Sequence, residues 1–247
     1  MIRPLILAMG LVGLWQIVVG VSGVPPYILP GPLPVAKALL AHAPVLAGHL
    51  GTTLTEILLG LILGTALGSL AALVMILSPL CRRWLLPVLV VSQAIPVFAL
   101  APILVLWLGY GLASKVGMAV LIIFFPVTSA LYSGMRATDP GLLELARIMN
   151  APALNVLRLI VIPSALPSLA SGLRVATAVA PIGAVVGEWV GSSHGLGYYM
   201  LHANARMQID VMFAALTVLA ALSLTLYTVV DRLLDRLVYW QPKQDLR

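Results

Sequence analysis

The sequence predicts an all-α membrane protein, a single transmembrane domain over residues 1–247 built from six transmembrane helices. Three observations carry that reading. Hydrophobic residues make up 61% of the chain and charged residues only 9%, with a mean hydropathy of +1.09. A soluble domain of 247 residues needs far more charge to solvate its surface. Six apolar runs each approach the roughly 20 residues that cross a bilayer as a helix. Lysine and arginine are also divided unevenly between alternate connecting segments. Helices fit such runs because backbone polar groups in lipid must be satisfied within the segment.

Span one covers about residues 5–21 and follows Arg3. Its basic start and the small residues at Gly20–Gly23 imitate a secretory signal. The run is long for a signal core, its cleavage pattern is weak, and removal would leave an odd number of spans. It is therefore expected to stay. Span two, 54–77, carries Gly60, Gly64, Gly68 and Ala72 at a spacing of four, a stripe for close helix contact. That stripe suits packing inside one subunit, and a seam between two copies is the alternative. Glu56 sits near the outer end of this span, where a side chain can snorkel to the headgroups.

Span three, 85–108, holds Ser92 and Gln93 a turn before Pro96, whose ring frees a backbone carbonyl that a polar group or water must satisfy. Span four, 116–135, places Thr128, Ser129 and Tyr132 beyond Pro126. In span five, 172–190, Thr177, Pro181, Ala184 and Glu188 share a face, and Gly183 and Gly187 allow close approach. Span six covers 211–230. An ionisable group inside a membrane costs about 2.5–3.5 kcal/mol on insertion scales, so it faces a cavity or a partner. Ser92, Gln93, Thr128, Thr177, Glu188 and Trp189 are thus the candidates for a polar path, with Glu188 at an outer gate. A hydrogen bond between spans is the competing use of Glu188 and Ser129. Trp107, Tyr110 and Trp189 could stack a flat heterocycle or belong to an interfacial aromatic belt.

With the N-terminus inside, eleven of the fourteen basic residues, from Arg3 to Lys243 and Arg247, fall on the cytoplasmic side. Only Lys37, Lys115 and Arg206 fall outside. This places both termini in the cytoplasm. The net charge of +6 then reflects topology and contact with anionic lipid headgroups. No basic stripe with interleaved aromatics suggests nucleic acid. Cys81, beside Arg82 and Arg83, faces the reducing side as a small filler residue.

The loop 136–171 interrupts this hydrocarbon with organised polar sequence. Asp139-Pro140 is a helix start, an N-cap followed by proline at the first helical position. Leu142, Leu145, Ala146 and Met149 then share one face, with Glu144 and Arg147 on others. Asn150 tolerates the left-handed conformation that ends a helix. Pro152 opens a second short helix, which Pro163 and Pro167 are expected to break before span five. These features give a helical hairpin on the cytoplasmic surface, docked on a partner or lying on lipid.

The segment Glu144–Pro163, ELARIMNAPALNVLRLIVIP, resembles the cytoplasmic loop of bacterial ABC-importer permeases. The family pattern is Glu-Ala-Ala, three residues, Gly, nine residues, Ile-x-Leu-Pro. The spacing of Glu144, Ala146, Asn150, Ile160 and Pro163 is intact, while Leu145, Asn150 and Ile162 depart from the preferred residues. LPGPLPV (Leu29–Val35), Gln93-Ala94-Ile95-Pro96, Gly187-Glu188-Trp189 and Gly195-Leu196-Gly197-Tyr198 extend the likeness over the whole chain. They resemble permeases for sulfonates, taurine, nitrate and thiamin precursors. Gly187–Gln208 looks most like the hydroxymethylpyrimidine importers among them.

The resemblance implies a type I importer permease fold in the bacterial inner membrane. It also implies that Glu144, Ala146, Arg147 and Asn150 belong to a coupling helix seated in a groove of a cytoplasmic ATPase. The partners implied are a second permease copy, two ATPase subunits, and a periplasmic or lipid-anchored binding protein. ATP and magnesium would be held by the ATPase, with no cofactor in this chain.

The residues themselves offer no chemistry of their own. There is no G-x-x-x-x-G-K-[ST] phosphate loop and no H-E-x-x-H zinc motif. His42, His49, His194 and His202 read as solvated outer-loop histidines, or as contacts to a docked binding protein. A stand-alone secondary transporter would call for midplane coupling carboxylates and an inverted repeat. An intramembrane enzyme would call for paired catalytic groups facing one cavity. The sequence displays none of these signs.

Overall fold

The computed structural model describes residues 2–240, excepting the side chains of residues 2–5 and 8. The Arg3 side chain and the whole of Lys243 and Arg247, used in the charge reading, lie outside the described residues. In chain order the helices are α1 (Ile2–Ser22), α2 (Pro32–Ala41), α3 (Ala43–Leu77), α4 (Pro79–Ala94), α5 (Val97–Leu108) and α6 (Leu112–Arg136). They continue with α7 (Pro140–Ile148), α8 (Ala153–Val156), α9 (Ile162–Gly191), α10 (Leu196–Ala205) and α11 (Ile209–Leu237).

The centre of the bundle is α6, gripped between α3 and α9. Small residues make that grip possible. A Cβ on Gly64 would strike Ile123, and one on Gly68 would press on Phe124 O and Val127. From the other side, Gly183 meets the Ala119 backbone and Gly172 meets Pro126 O. The glycine stripe of α3 is therefore used inside the subunit. Around it Ile57, Ala119, Ile123, Val127, Ala176, Ala180 and Ala184 form a fully buried core. Such side chains let backbones approach closely, which is how helices associate where lipid supplies no hydrophobic drive.

Four helical stretches are long and apolar enough to cross a membrane: Ala43–Leu77, Leu112–Arg136, Ala153–Gly191 and Ile209–Leu237. A fifth span is a bent pair. The third span expected over 85–108 is broken, with α4 and α5 meeting at 105°. The cause is Pro96. It forces Ile95 to an extended ψ of 122° and supplies no N–H to continue the ladder. The stretch Met9–Ser22 of α1 is apolar but shorter, so among the described residues the count stands at four, or five with the bent pair.

Two further boundaries differ from expectation. Span two begins earlier, since α3 has 35 residues, about 52 Å at 1.5 Å per residue. Span five and the helix before it are not separated: Ala153–Gly191 runs continuously for 39 residues. Pro163 stands in the first turn of α9, directly after a π-helical turn at Leu157–Val161. The wider i→i+5 turn takes up the missing donor and the ring, so the proline does not end the helix. Pro167 is carried inside α9.

One end of the bundle is capped by α2 and α10. Val35, Ala38, Leu46, Leu196, Ala203, Val211, Ala214 and Ala215 form a second core there, holding both short helices on α3 and α11. The opposite end carries α7 and α8. α1 lies on the flank, where Trp15 stacks on Phe213 of α11 at 5.9 Å.

Candidate functional site

The hairpin end is built as its capping residues dictate. The Asp139 carboxylate accepts from Gly141 N–H at 2.8 Å, with Pro140 at the first helical position. Asn150 adopts φ 51°, which reverses the chain, and Ala151 N–H then closes onto Ala146 O at 2.9 Å. The expected apolar stripe divides between two faces. Ala146 is 5% exposed and, with Leu143, Ile76, Leu77, Val156 and Val161, lines a cavity of about 370 Å³. Leu145 at 53% and Met149 at 72% face outward, together with Ile148 at 78%. Glu144, Arg147 and Asn150 are exposed.

Three residues of the expected polar path, Thr128, Thr177 and Glu188, are buried between helices of the chain. Thr177, Pro181, Ala184 and Glu188 do share a face of α9, but that face is buried. Thr177 donates to Leu173 O and Thr128 to Phe124 O, each at 2.7 Å, so both hydroxyls are spent on their own helix backbones. The physical reason is the glycine and alanine content of this face, which draws α9 against α6. The opposite face of α9 borders a cavity of about 450 Å³, lined by Val179, Ile182 and Val186 with Phe98, Phe125 and Gln93. Gln93 is its one side chain able to both donate and accept, and it is exposed. Ser92, also exposed, bonds Leu89 O at 2.7 Å and receives Gln93 Nε2 at 3.4 Å. Trp189 borders a second cavity, of about 520 Å³, with Ala178, Ile182, Met200 and Leu216.

Glu188 belongs to a network at the capped end that the sequence did not disclose. Its carboxylate accepts from Thr53 Oγ1 at 2.6 Å, from Gly197 N–H at 2.5 Å and from Tyr198 N–H at 3.3 Å. Leu196 N–H donates to Thr53 Oγ1 at 2.8 Å, and Gly195 N–H to His49 Nδ1 at 3.1 Å. The free N–H groups that open α10 are thus met by side chains of α3 and α9. Glycine is needed for this. Gly195 holds φ 111°, and any Cβ there or on Gly197 would collide with the Glu188 carboxylate. The Gly-Glu-Trp and Gly-Leu-Gly-Tyr segments are the two halves of a single contact.

Glu56 does not snorkel: it is 0% exposed, with the Lys115 ammonium 3.9 Å away. Lys115, expected in an outer loop, occupies the first turns of α6 at 7% exposure. Three of the four histidines are half-buried rather than free loop residues, while His194 is exposed in the loop before α10. His49 stacks on Tyr199 at 4.8 Å, Tyr198 on His202 at 5.5 Å, and His42 Nδ1 lies 3.1 Å from Tyr199 Oη. Burial pushes the Tyr199 phenol above its ordinary pKa, with Arg206 opposing. Arg174, read as a topology marker, bridges Asp231 at 2.5 Å and Asp235 at 2.7 Å on α11. The i, i+4 spacing of those aspartates was the available signal.

The family described as binding-protein-dependent transport system inner membrane component matches residues 64–239. A probable ABC transporter permease protein of Haemophilus influenzae is 53% identical, covering 97% of this chain and 98% of its own length. The formylaminopyrimidine transport permease protein ThiX of Halalkalibacterium halodurans is 36% identical, covering 98% and 97%. Relatives named for riboflavin, aliphatic sulfonates and taurine also match. A crystal structure of an amino acid ABC transporter shares the fold with a TM-score of 0.67 at 17% identity, covering 83% of this chain and 98% of that one.

Proposed function

The chain belongs to the binding-protein-dependent transport system inner membrane components, permease subunits of ABC importers, and from that premise we propose that it carries a neutral, pyrimidine-like thiamin precursor. Two copies would pair, each docking a cytoplasmic ATPase through α7, while a periplasmic or lipid-anchored binding protein delivers the solute to the α2–α10 end. ATP and magnesium would be bound by the ATPase alone. The observation that carries this assembly is the hairpin. A short helix with Leu145, Ile148 and Met149 exposed has an apolar face fitted to a groove, and Glu144 and Arg147 flank it.

The substrate reading rests on the ThiX relative and on the cavity beside Gln93. Its lining combines one amide with two phenylalanines and aliphatic walls, and no charged side chain. An amide can donate to and accept from a ring nitrogen or carbonyl, and aromatic walls suit a flat ring. A sulfonate or nitrate would enter such walls without a cation to pair with, at a large desolvation cost. That weighs against the charged alternatives, the anionic sulfonates and nitrate and the zwitterionic taurine.

Reconstitution tests both levels. Vesicles holding this chain with its ATPase and binding protein should accumulate a labelled hydroxymethylpyrimidine or formylaminopyrimidine only when ATP is supplied. Uptake persisting without the ATPase would instead support a stand-alone transporter. ATP-driven uptake of taurine or an alkanesulfonate, but not of the pyrimidines, would retain the importer and overturn the substrate.

A further inference from the structure

The last turns of α11 sort their charges onto two sides of the helix. α11 leaves the capped-end core at Val211. From there to Val230 it carries no charged side chain and, at 1.5 Å per residue, rises about 30 Å, the thickness of a bilayer's hydrocarbon core. Asp231, Arg232, Asp235 and Arg236 follow, and so emerge at headgroup depth. Leu234 and Val238 hold this end of α11 against Ala170, near the foot of α9.

Both aspartates are taken by one partner. Arg174 of α9 donates to Asp231 at 2.5 Å and to Asp235 at 2.7 Å. Arg232 and Arg236 are left over. Each is exposed, and among the described residues neither forms an ion pair. The helical repeat sets them on either side of the pole opposite the buried Leu234, so they point away from the bundle. Like charges four residues apart on a helix repel, a cost that an anion lying between them would relieve.

The neighbours indicate which anion. Leu233, Leu237, Tyr239 and Trp240 are all exposed at this end, with the last two rings edge to face at 5.2 Å. Tryptophan and tyrosine favour the membrane–water interface. A free phosphate, or an acidic protein surface, would have no use for such a setting. A lipid uses all of it.

We propose that Arg232 and Arg236 form a headgroup site for an anionic phospholipid, the two guanidinium groups holding its phosphate while Leu233 and Leu237 border its chains. Arg174 creates the site by withdrawing both aspartates; Asp235 would otherwise stand three residues from Arg232 and compete for it. The bound lipid fixes the depth of the α11 end beside the foot of α9. The site does not depend on which solute is carried.

Native mass spectrometry tests it on the full chain, released from micelles holding phosphatidylglycerol and phosphatidylcholine with identical acyl chains. The wild type should retain phosphatidylglycerol in excess. Arg232→Gln and Arg236→Gln should each lower the ratio of the two bound lipids about fivefold, and the double variant about 25-fold. Arg174→Ala should lower it as well, although both site arginines remain. Arg82→Gln with Arg83→Gln removes the same charge from α4 and should leave the ratio nearly unchanged.

Equal retention of the two lipids by the wild type, or an equal fall in the Arg82/Arg83 variant, would overturn the site. Displacement of the lipid by millimolar inorganic phosphate would assign the pair to a free anion instead. An unchanged ratio in the Arg232/Arg236 double variant, with binding of the ATPase lost, would give the pair to the ATPase and overturn the lipid. Should that variant fail to fold, a photoactivatable phosphatidylglycerol on the wild type decides. Cross-links at residues 229–240 support the site, and cross-links confined elsewhere overturn it.

Discussion

The two ends of the Ala153–Gly191 helix solve opposite problems. At one end the N–H groups that open α10 are answered by His49, Thr53 and Glu188, and two carboxyl groups and a lysine are packed out of water. At the other, α7 turns Leu145, Ile148 and Met149 outward and holds to the bundle through Leu143 and Ala146. At the capped end the N–H groups that open α10 find their partners within one chain. The hairpin end presents apolar surface that a monomer in water has no reason to keep. Self-satisfied polar groups mark where the molecule holds itself together, and exposed apolar groups mark where it waits for a partner.

The contrast can be broken most severely at the hairpin. Glu144→Ala combined with Ala146→Asp places a carboxylate at a position 5% exposed and removes the flanking charge. ATP-driven uptake should fall to background while membrane insertion, read by protease protection, is unchanged. Surviving uptake would mean that coupling passes elsewhere. At the capped end the same class of change should cost stability. Glu188→Leu strands the Gly197 and Tyr198 N–H groups and leaves Thr53 O–H only His49 O at 3.2 Å, a loss of about 2–4 kcal/mol, measured as the unfolding midpoint in detergent.

A smaller effect isolates the turn before α10. Gly195→Ala must hold φ 111° and push its methyl into the Glu188 carboxylate, at a cost of about 2 kcal/mol with uptake lost in proportion to unfolding. The mildest change lies between the ends. Arg174→Ala frees Asp231 and Asp235, which are partly exposed, and should lower stability by about 1 kcal/mol with near-normal uptake. A loss of uptake larger than this would assign the α9–α11 bridge a part in coupling.

Local features were legible in the sequence. Asp139-Pro140 and Asn150 delimit α7 by their own conformational preferences, and the spacing of Gly60, Gly64 and Gly68 announces a close helix contact. Pro96 marks the break within span three, although not its angle. What stayed hidden depends on partners distant in the chain. Glu56 reads as a snorkelling residue until its full burial and the Lys115 ammonium 3.9 Å away are seen. Periodicity likewise assigned Thr177 and Glu188 to one face of α9 without saying whether that face met a cavity or α6. Pro163 misleads for a related reason, since a π turn absorbs a residue that by itself predicts a helix end.

The unbroken run from Ala153 to Gly191 has a mechanical meaning. At 1.5 Å per residue it is a rod of about 58 Å, with the hairpin at its foot and Glu188 one turn from its tip. A rod transmits an axial push with little loss, whereas two helices joined by a loop would absorb it by bending. The π turn at Leu157–Val161 lies close to its foot, and beyond it the 30 residues of α9 continue as one helix that carries Pro167 and Pro181 inside it. Force applied at α7 would then arrive at the seat of α10 before it is dissipated in the lipid-facing helices between.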